Sequence, residues 1–133
     1  MAPLHASIQA YLKEQNSTAR LLSPEHPEFE AAQAGTGKKP DVPPALIALP
    51  KTAGGVQALV RYCAQNNVGF AVRTGGRDSP VRGGTQTGVI WIDLRDIDFV
   101  GVAAGKATAR VGGGIFFKGL SESLKKKGVI MPE

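Results

Sequence analysis

Cysteine is almost missing from this chain: Cys63 is the only one. An internal disulfide is therefore impossible, and so is a metal site built from clustered thiolates. Cys63 falls on the apolar face of a helical pattern and reads as a buried small hydrophobe, not a nucleophile. Histidine is also scarce. His5 and His26 stand far apart with no carboxylate or cysteine cluster around them, which gives neither a metal centre nor a catalytic triad a basis. His26 precedes Pro27 and reads as a surface loop residue. No apolar run approaches the roughly 20 residues of a membrane span. The start, Met1 to Ala6, has no basic stretch followed by an apolar one, so no secretory signal is visible. The expectation is a soluble, cytoplasmic protein with neither membrane nor nucleic-acid partners.

What is present supports one folded domain. The 133 residues are 42% hydrophobic and 20% charged, ordinary for a globular chain. Net charge is +5, yet the basic residues are scattered apart from Lys38-Lys39 and Lys125–Lys127. No aromatics interleave with those clusters, as a nucleic-acid surface would require. Lys125–Lys127 ends a helical pattern, where cations complement the helix dipole. Glycine is abundant, 17 in all, so several positions need close backbone approach or unusual dihedrals.

Along the chain, residues 1–16 read as a helix, with Ile8, Tyr11 and Leu12 on one face and Asn16 ending it. Residues 17–44 read as irregular, broken by Pro24, Pro27, Gly35, Gly37, Pro40, Pro43 and Pro44. Leu46–Leu49 then predicts a strand. Thr52 predicts the cap of a helix with Val56, Leu59, Val60 and Cys63 inward, stopped by Asn66-Asn67. Phe70–Arg73 predicts the next strand, so the three elements form a βαβ unit with parallel strands. Val89–Leu94 predicts another strand. Ile97–Val102 and Lys106–Val111 predict a hairpin turning at Ala104-Gly105. A last helix follows Gly112–Gly114, with Phe116, Leu120 and Leu124 inward and Gly128 ending it. Val129–Met131 reads as extended. The fold class expected is α+β: a βαβ unit, then a mixed or antiparallel sheet with flanking helices.

The segment Val72 to Gly84 is the most informative. A strand runs directly into Thr74-Gly75-Gly76-Arg77-Asp78-Ser79, at the carboxyl end where open α/β sheets place ligands. Consecutive amides in such a turn can converge on an anion, above all a phosphate. A plain glycine-rich connection between two strands explains the same residues. Gly112–Gly114, between a strand and a helix, suits phosphate at a helix N-terminus or close packing of that helix. As a dinucleotide fingerprint it fails, because Phe117 occupies the third glycine position. Gly35-Thr36-Gly37-Lys38 and Gly105-Lys106 lack the spacing of a P-loop, with Lys39 and Ala107 where Ser or Thr is required. Asp93, Asp96 and Asp98 read as solvated turn carboxylates, not a metal cage.

Taken in order, these motifs resemble a known family. Pro40 through Pro50, the helix Val56–Gln65, the strand and loop entry Phe70–Gly76, Gly88–Leu94 and Ala109–Gly114 are together similar to the N-terminal half of a PCMH-type FAD-binding domain. That domain belongs to the FAD-linked oxidases of the vanillyl-alcohol oxidase and berberine-bridge-enzyme-like group. The resemblance divides the chain into a helix and irregular arm, 1–39, and the FAD-binding part, 40–133. It implies a flavin-dependent oxidoreductase acting on a small organic substrate. It implies that Thr74, Gly75, Gly76, Arg77, Asp78 and Ser79 hold the FAD diphosphate, that Arg73 precedes them, and that Gly112, Gly113 and Gly114 lie near the cofactor or permit packing beside it. Many members carry a flavin-linking histidine where this chain has Arg77. Covalent attachment there is impossible, so FAD is expected to be dissociable. The family's domain continues into a second glycine-rich region and a substrate domain. Those parts would come from a longer protein or a second chain. The alternative is a truncated, non-catalytic homologue that self-associates through unfinished sheet edges.

Overall fold

The computed structural model describes residues 2–34, 43–74 and 88–130. Four helices and six strands occur in these stretches: α1 (Ala2–Glu14), β1 (Arg20–Leu22), α2 (Phe29–Ala34), β2 (Leu46–Leu49), α3 (Ala53–Gln65), β3 (Phe70–Arg73), β4 (Ile90–Asp93), β5 (Val100–Val102), β6 (Ala109–Val111) and α4 (Phe117–Lys126). The main sheet runs β1-β2-β4-β3, and β5 and β6 form a separate hairpin.

Strand β4 organises the sheet. It pairs in parallel with β2, Leu46 opposite Ile90, and in parallel with β3, Arg73 opposite Asp93. Its four residues are buried on both faces, as expected for a central parallel strand. Thus β2 and β3 are parallel, as a βαβ unit requires, but β4 lies between them. Sequence order alone carries no record of that insertion.

Alternation along the strands sorts two cores. On one face Leu46, Ala48, Ile90 and Ile92 meet Ile8 and Leu12 of α1 and Ala58, Leu59, Tyr62 and Cys63 of α3. On the other, Ile47, Leu49, Val89 and Trp91 meet Leu22, Phe29 and Ala32. The inward face of α3 is rotated from the expected stripe: Ala58 and Tyr62 are buried, whereas Val56 and Val60 are only partly so. The rotation follows from α1, which packs against α3 through a Ser7–Tyr62 hydroxyl hydrogen bond of 2.8 Å and a Tyr11–Tyr62 ring contact. Burial pushes the Cys63 thiol pKa up, consistent with an inert core residue.

Caps set the helix ends as read. Thr52 Oγ1 accepts the Gly55 amide at 3.0 Å, and α3 stops at Asn66 with Asn67 left-handed at φ 55°. Asn16, with φ 56°, closes α1 in the same way.

Three readings are corrected. Residues 17–44 are not uniformly irregular: β1 pairs antiparallel with β2, Arg20 opposite Leu49, and α2 covers the second core. Both elements are too short to show a period; partners supplied by the rest of the chain create them. The hairpin does turn at Ala104-Gly105, closed by the Lys106 amide donating to the Ala103 carbonyl at 2.8 Å, with Lys106 left-handed at φ 57°. Phe116 caps α4 from outside and is 50% exposed, leaving Leu120 and Leu124 as its inward residues. Asp93 is not solvated: it is 3% exposed and ion-paired with Arg95.

Thr52→Ala removes the α3 cap and should cost about 1 kcal/mol of stability, while Thr52→Ser should restore most of it. Urea unfolding of the two variants checks this.

Candidate functional site

The carboxyl ends of β2, β4 and β3 lie on one edge of the sheet because all three strands run the same way. The residues singled out from the sequence begin there. Arg73 closes β3, and Thr74 follows it, exposed, at the first bend of the glycine-rich segment. Gly75, Gly76, Arg77, Asp78 and Ser79 lie outside the described residues.

Arg73 is turned toward the α2 side of the sheet. Its guanidinium carbon sits 4.4 Å from the centroid of the Trp91 ring. Its Nη1 donates to the carbonyls of Ala32 at 3.0 Å and Gln33 at 3.1 Å, in the last turn of α2. Arg95, just beyond β4, donates through Nη2 to the same Ala32 carbonyl at 3.0 Å. Asp93 holds Arg95 in a fork, Nε to Oδ1 at 3.1 Å and Nη2 to Oδ2 at 2.8 Å, and Oδ1 also accepts the Arg95 amide. These side-chain hydrogen bonds, then the Coulombic attraction of Asp93, push the Arg95 pKa up and outweigh the cost of burial. The exits of β3 and β4 are further joined by the Leu94 amide, which donates to the Arg73 carbonyl at 3.0 Å. Trp91 is 4% exposed, and its Nε1–H has no acceptor among the described residues.

Sequence reasoning missed this cluster. Of its members the sequence marks only Arg73 as a site residue, and nothing local joins α2, Trp91 and Arg95 to it. A lone tryptophan within an apolar strand, flanked by Asp93-x-Arg95, was the available signal.

The Gly112–Gly114 segment lies against the turn after β4. A Cβ at Gly112 would overlap the Ile97 carbonyl, and one at Gly114 the Leu94 carbonyl. The two amides donate to Phe99 and Ile97 carbonyls, at 2.9 and 3.0 Å. Gly113 differs: it is exposed, a Cβ there would make only an ordinary contact with Leu94 at 3.6 Å, and its amide has no partner among the described residues. Two of the three glycines thus serve backbone packing, and one amide is open to a ligand. The α4 N-terminus nearby has no side-chain cap.

Of the two histidines, His26 accepts the Glu28 amide on Nδ1 at 3.1 Å, which shapes the entry to α2. No group of three or more His, Cys, Asp or Glu able to hold a metal occurs among the described residues. No helix there is long and apolar enough to cross a membrane.

Comparison with known proteins gives this geometry a context. Residues 44–133 match a family described as "FAD binding domain". The chain is 35% identical over 86 residues to (R)-6-hydroxynicotine oxidase of Paenarthrobacter nicotinovorans, covering 65% of this chain and 19% of that protein. It is 31% identical over 101 residues to the FAD-linked oxidoreductase aurO of Gibberella zeae, covering 76% and 20%. The crystal structure of 6-hydroxy-D-nicotine oxidase from Arthrobacter nicotinovorans superposes with a TM-score of 0.75 at 26% identity, over 87% of this chain and 25% of that one. The Physcomitrella patens BBE-like 1 fold is similar at a TM-score of 0.75 and 21% identity, over 90% and 26%. The chain therefore spans about a fifth of the length of the curated relatives it matches.

Gly112→Ala and Gly114→Ala should each destabilise the fold by more than about 2 kcal/mol, because backbone must move to admit the methyl group. Gly113→Ala should stay within about 1 kcal/mol of wild type. Thermal denaturation of the three variants separates the packing glycines from the open one.

Proposed function

Because this chain belongs to the FAD-binding-domain family, with the family's elements in order over residues 44–133, we propose that it forms the cofactor-holding part of a flavin-dependent oxidoreductase acting on a small organic molecule. The observation that carries the reading is the common carboxyl edge of β2, β4 and β3, from which the glycine-rich segment departs at Thr74. The described residues fit a phosphorylated ligand at two points: the exposed Thr74 hydroxyl, and the open Gly113 amide beside an uncapped helix N-terminus. Trp91 Nε1 is a further buried donor without an acceptor among the described residues.

When bound, FAD supplies the redox chemistry by accepting a hydride equivalent from the substrate. The task of this chain is to bind and orient. Thr74 through Ser79 are proposed to surround the diphosphate with backbone amides and hydroxyls. Arg77 occupies the position of the flavin-linking histidine in the resembling family. Its guanidinium cannot make that bond but can pair with a phosphate oxygen. The cofactor is accordingly held without a covalent link. The substrate pocket would be formed with other parts of a longer protein or a second chain. A cytoplasmic setting agrees with a single, buried thiol.

Two outcomes follow. Acid or heat denaturation of the flavin-loaded protein should release all of the yellow chromophore into the supernatant. Retention on the polypeptide would overturn the non-covalent reading. Gly76→Val should abolish FAD-dependent thermal stabilisation. If wild-type protein neither carries flavin absorbance nor gains stability from added FAD, the proposed function fails.

A further inference from the structure

We propose that Arg73 is a positioning residue, and that with α2 it forms a clasp fixing where the glycine-rich segment leaves the sheet. The proposal rests on the FAD-binding reading above and deepens it. An arginine directly before a glycine-rich turn would ordinarily be assigned to phosphate. The contacts here point the other way. One nitrogen, Nη1, is shared between two backbone carbonyls of α2. The guanidinium carbon lies 4.4 Å over the ring of Trp91, which is buried in the core beneath α2. Arg95 reaches the same Ala32 carbonyl from the exit of β4, locked in place by Asp93. Three points of the fold are thereby tied together: the end of β3, the end of β4 and the C-terminus of α2.

The energetics favour a tight knot. The last carbonyls of a helix lack intrahelical donors and carry partial negative charge, so two guanidinium groups satisfy and stabilise them. Stacking on tryptophan adds a cation–π attraction that grows with desolvation. The helix itself has six residues, too few to persist alone. It is held by Phe29 and Ala32 in the second core and by the two arginines at its end. In return it holds the guanidinium of Arg73, one residue before Thr74. Release of α2 would remove two of the hydrogen bonds that fix the Arg73 side chain at the strand exit. Residues 20–34, read from the sequence as part of an irregular arm, would then be part of its frame. A lysine could not substitute, because a compact ammonium does not match the guanidinium's spread of donors and its contact with the ring.

The experiment compares Arg73→Lys, Arg73→Met, Phe29→Ala and the Arg73→Met/Phe29→Ala double variant. Two readouts are taken where circular dichroism shows every variant folded: amide exchange of residues 29–34 without FAD, and FAD affinity by flavin fluorescence titration. The clasp predicts that all variants lose protection in α2. It also predicts that Lys and Met at 73 weaken FAD binding alike, by about tenfold or more, the size expected for lost charge-assisted hydrogen bonds. The double variant should be no weaker than the worse single one, since both changes release the same element. Ser7→Ala, which removes the Ser7–Tyr62 hydrogen bond between α1 and α3 on the far face of the sheet, should leave FAD affinity unchanged. A phosphate-ligand role gives the opposite pattern: Arg73→Lys retains most affinity, the double variant is additive, and α2 exchange does not move. Any of those three results overturns the proposal, as does lost α2 protection with unchanged FAD affinity. If wild type binds no FAD, the functional reading fails and the positioning role falls with it; the exchange data then report only whether Arg73 holds α2.

Discussion

Parallel pairing on both sides of β4 is the constraint on which the rest of the structure depends. Ile90–Asp93 offers one row of side chains to α1 and α3 and the other to α2. Its hydrogen bonds to β2 and β3 hold the three strands in one direction. That direction decides which ends of the strands share an edge. It brings Arg73, Asp93 and the turn after β4 to the same place, although Arg73 and Asp93 are separated by the whole glycine-rich segment. A central strand buried on both faces has little freedom to slip, because a shift of one residue would exchange the two cores.

At that edge, charge takes over from apolar packing. Arg73 and Arg95 place cationic groups within a partly buried cluster, and the groups that accept them are backbone carbonyls, an indole face and one carboxylate. Each partner suits a guanidinium better than an ammonium. The arrangement explains why a short, otherwise marginal helix is ordered above the sheet. It also gives the N-terminal stretch a place in the architecture of the proposed cofactor site, which composition alone would not suggest.

Glycine plays two separate roles. Gly112 and Gly114 let one backbone segment lie directly on another, between β6 and the turn after β4, with their amides committed to carbonyls. Gly113 between them is exposed, and its amide has no partner among the described residues. A dinucleotide reading of this run would need several amides converging on a phosphate, and the local hydrogen bonding leaves one. The similarity to FAD-linked oxidases instead follows the whole ordered set of elements over residues 44–133.

Much of this was decided by local chemistry and can be read directly. Thr52 before α3, Asn16 and Asn67 after their helices, and the apolar stretches at 46–49, 70–73 and 90–93 specify elements through caps, dihedral preference and hydrophobic pattern. Each of those acts within a few residues. The order of motifs likewise sufficed to place the chain among FAD-binding proteins. What the sequence could not display was any interaction between distant segments. The insertion of β4 between β2 and β3, the creation of β1 and α2 by partners found elsewhere in the chain, the burial of Asp93 and the turning of Arg73 onto Trp91 and α2 all depend on packing. Such contacts stabilise elements too short to carry a periodic signature, so only the tertiary structure decided them.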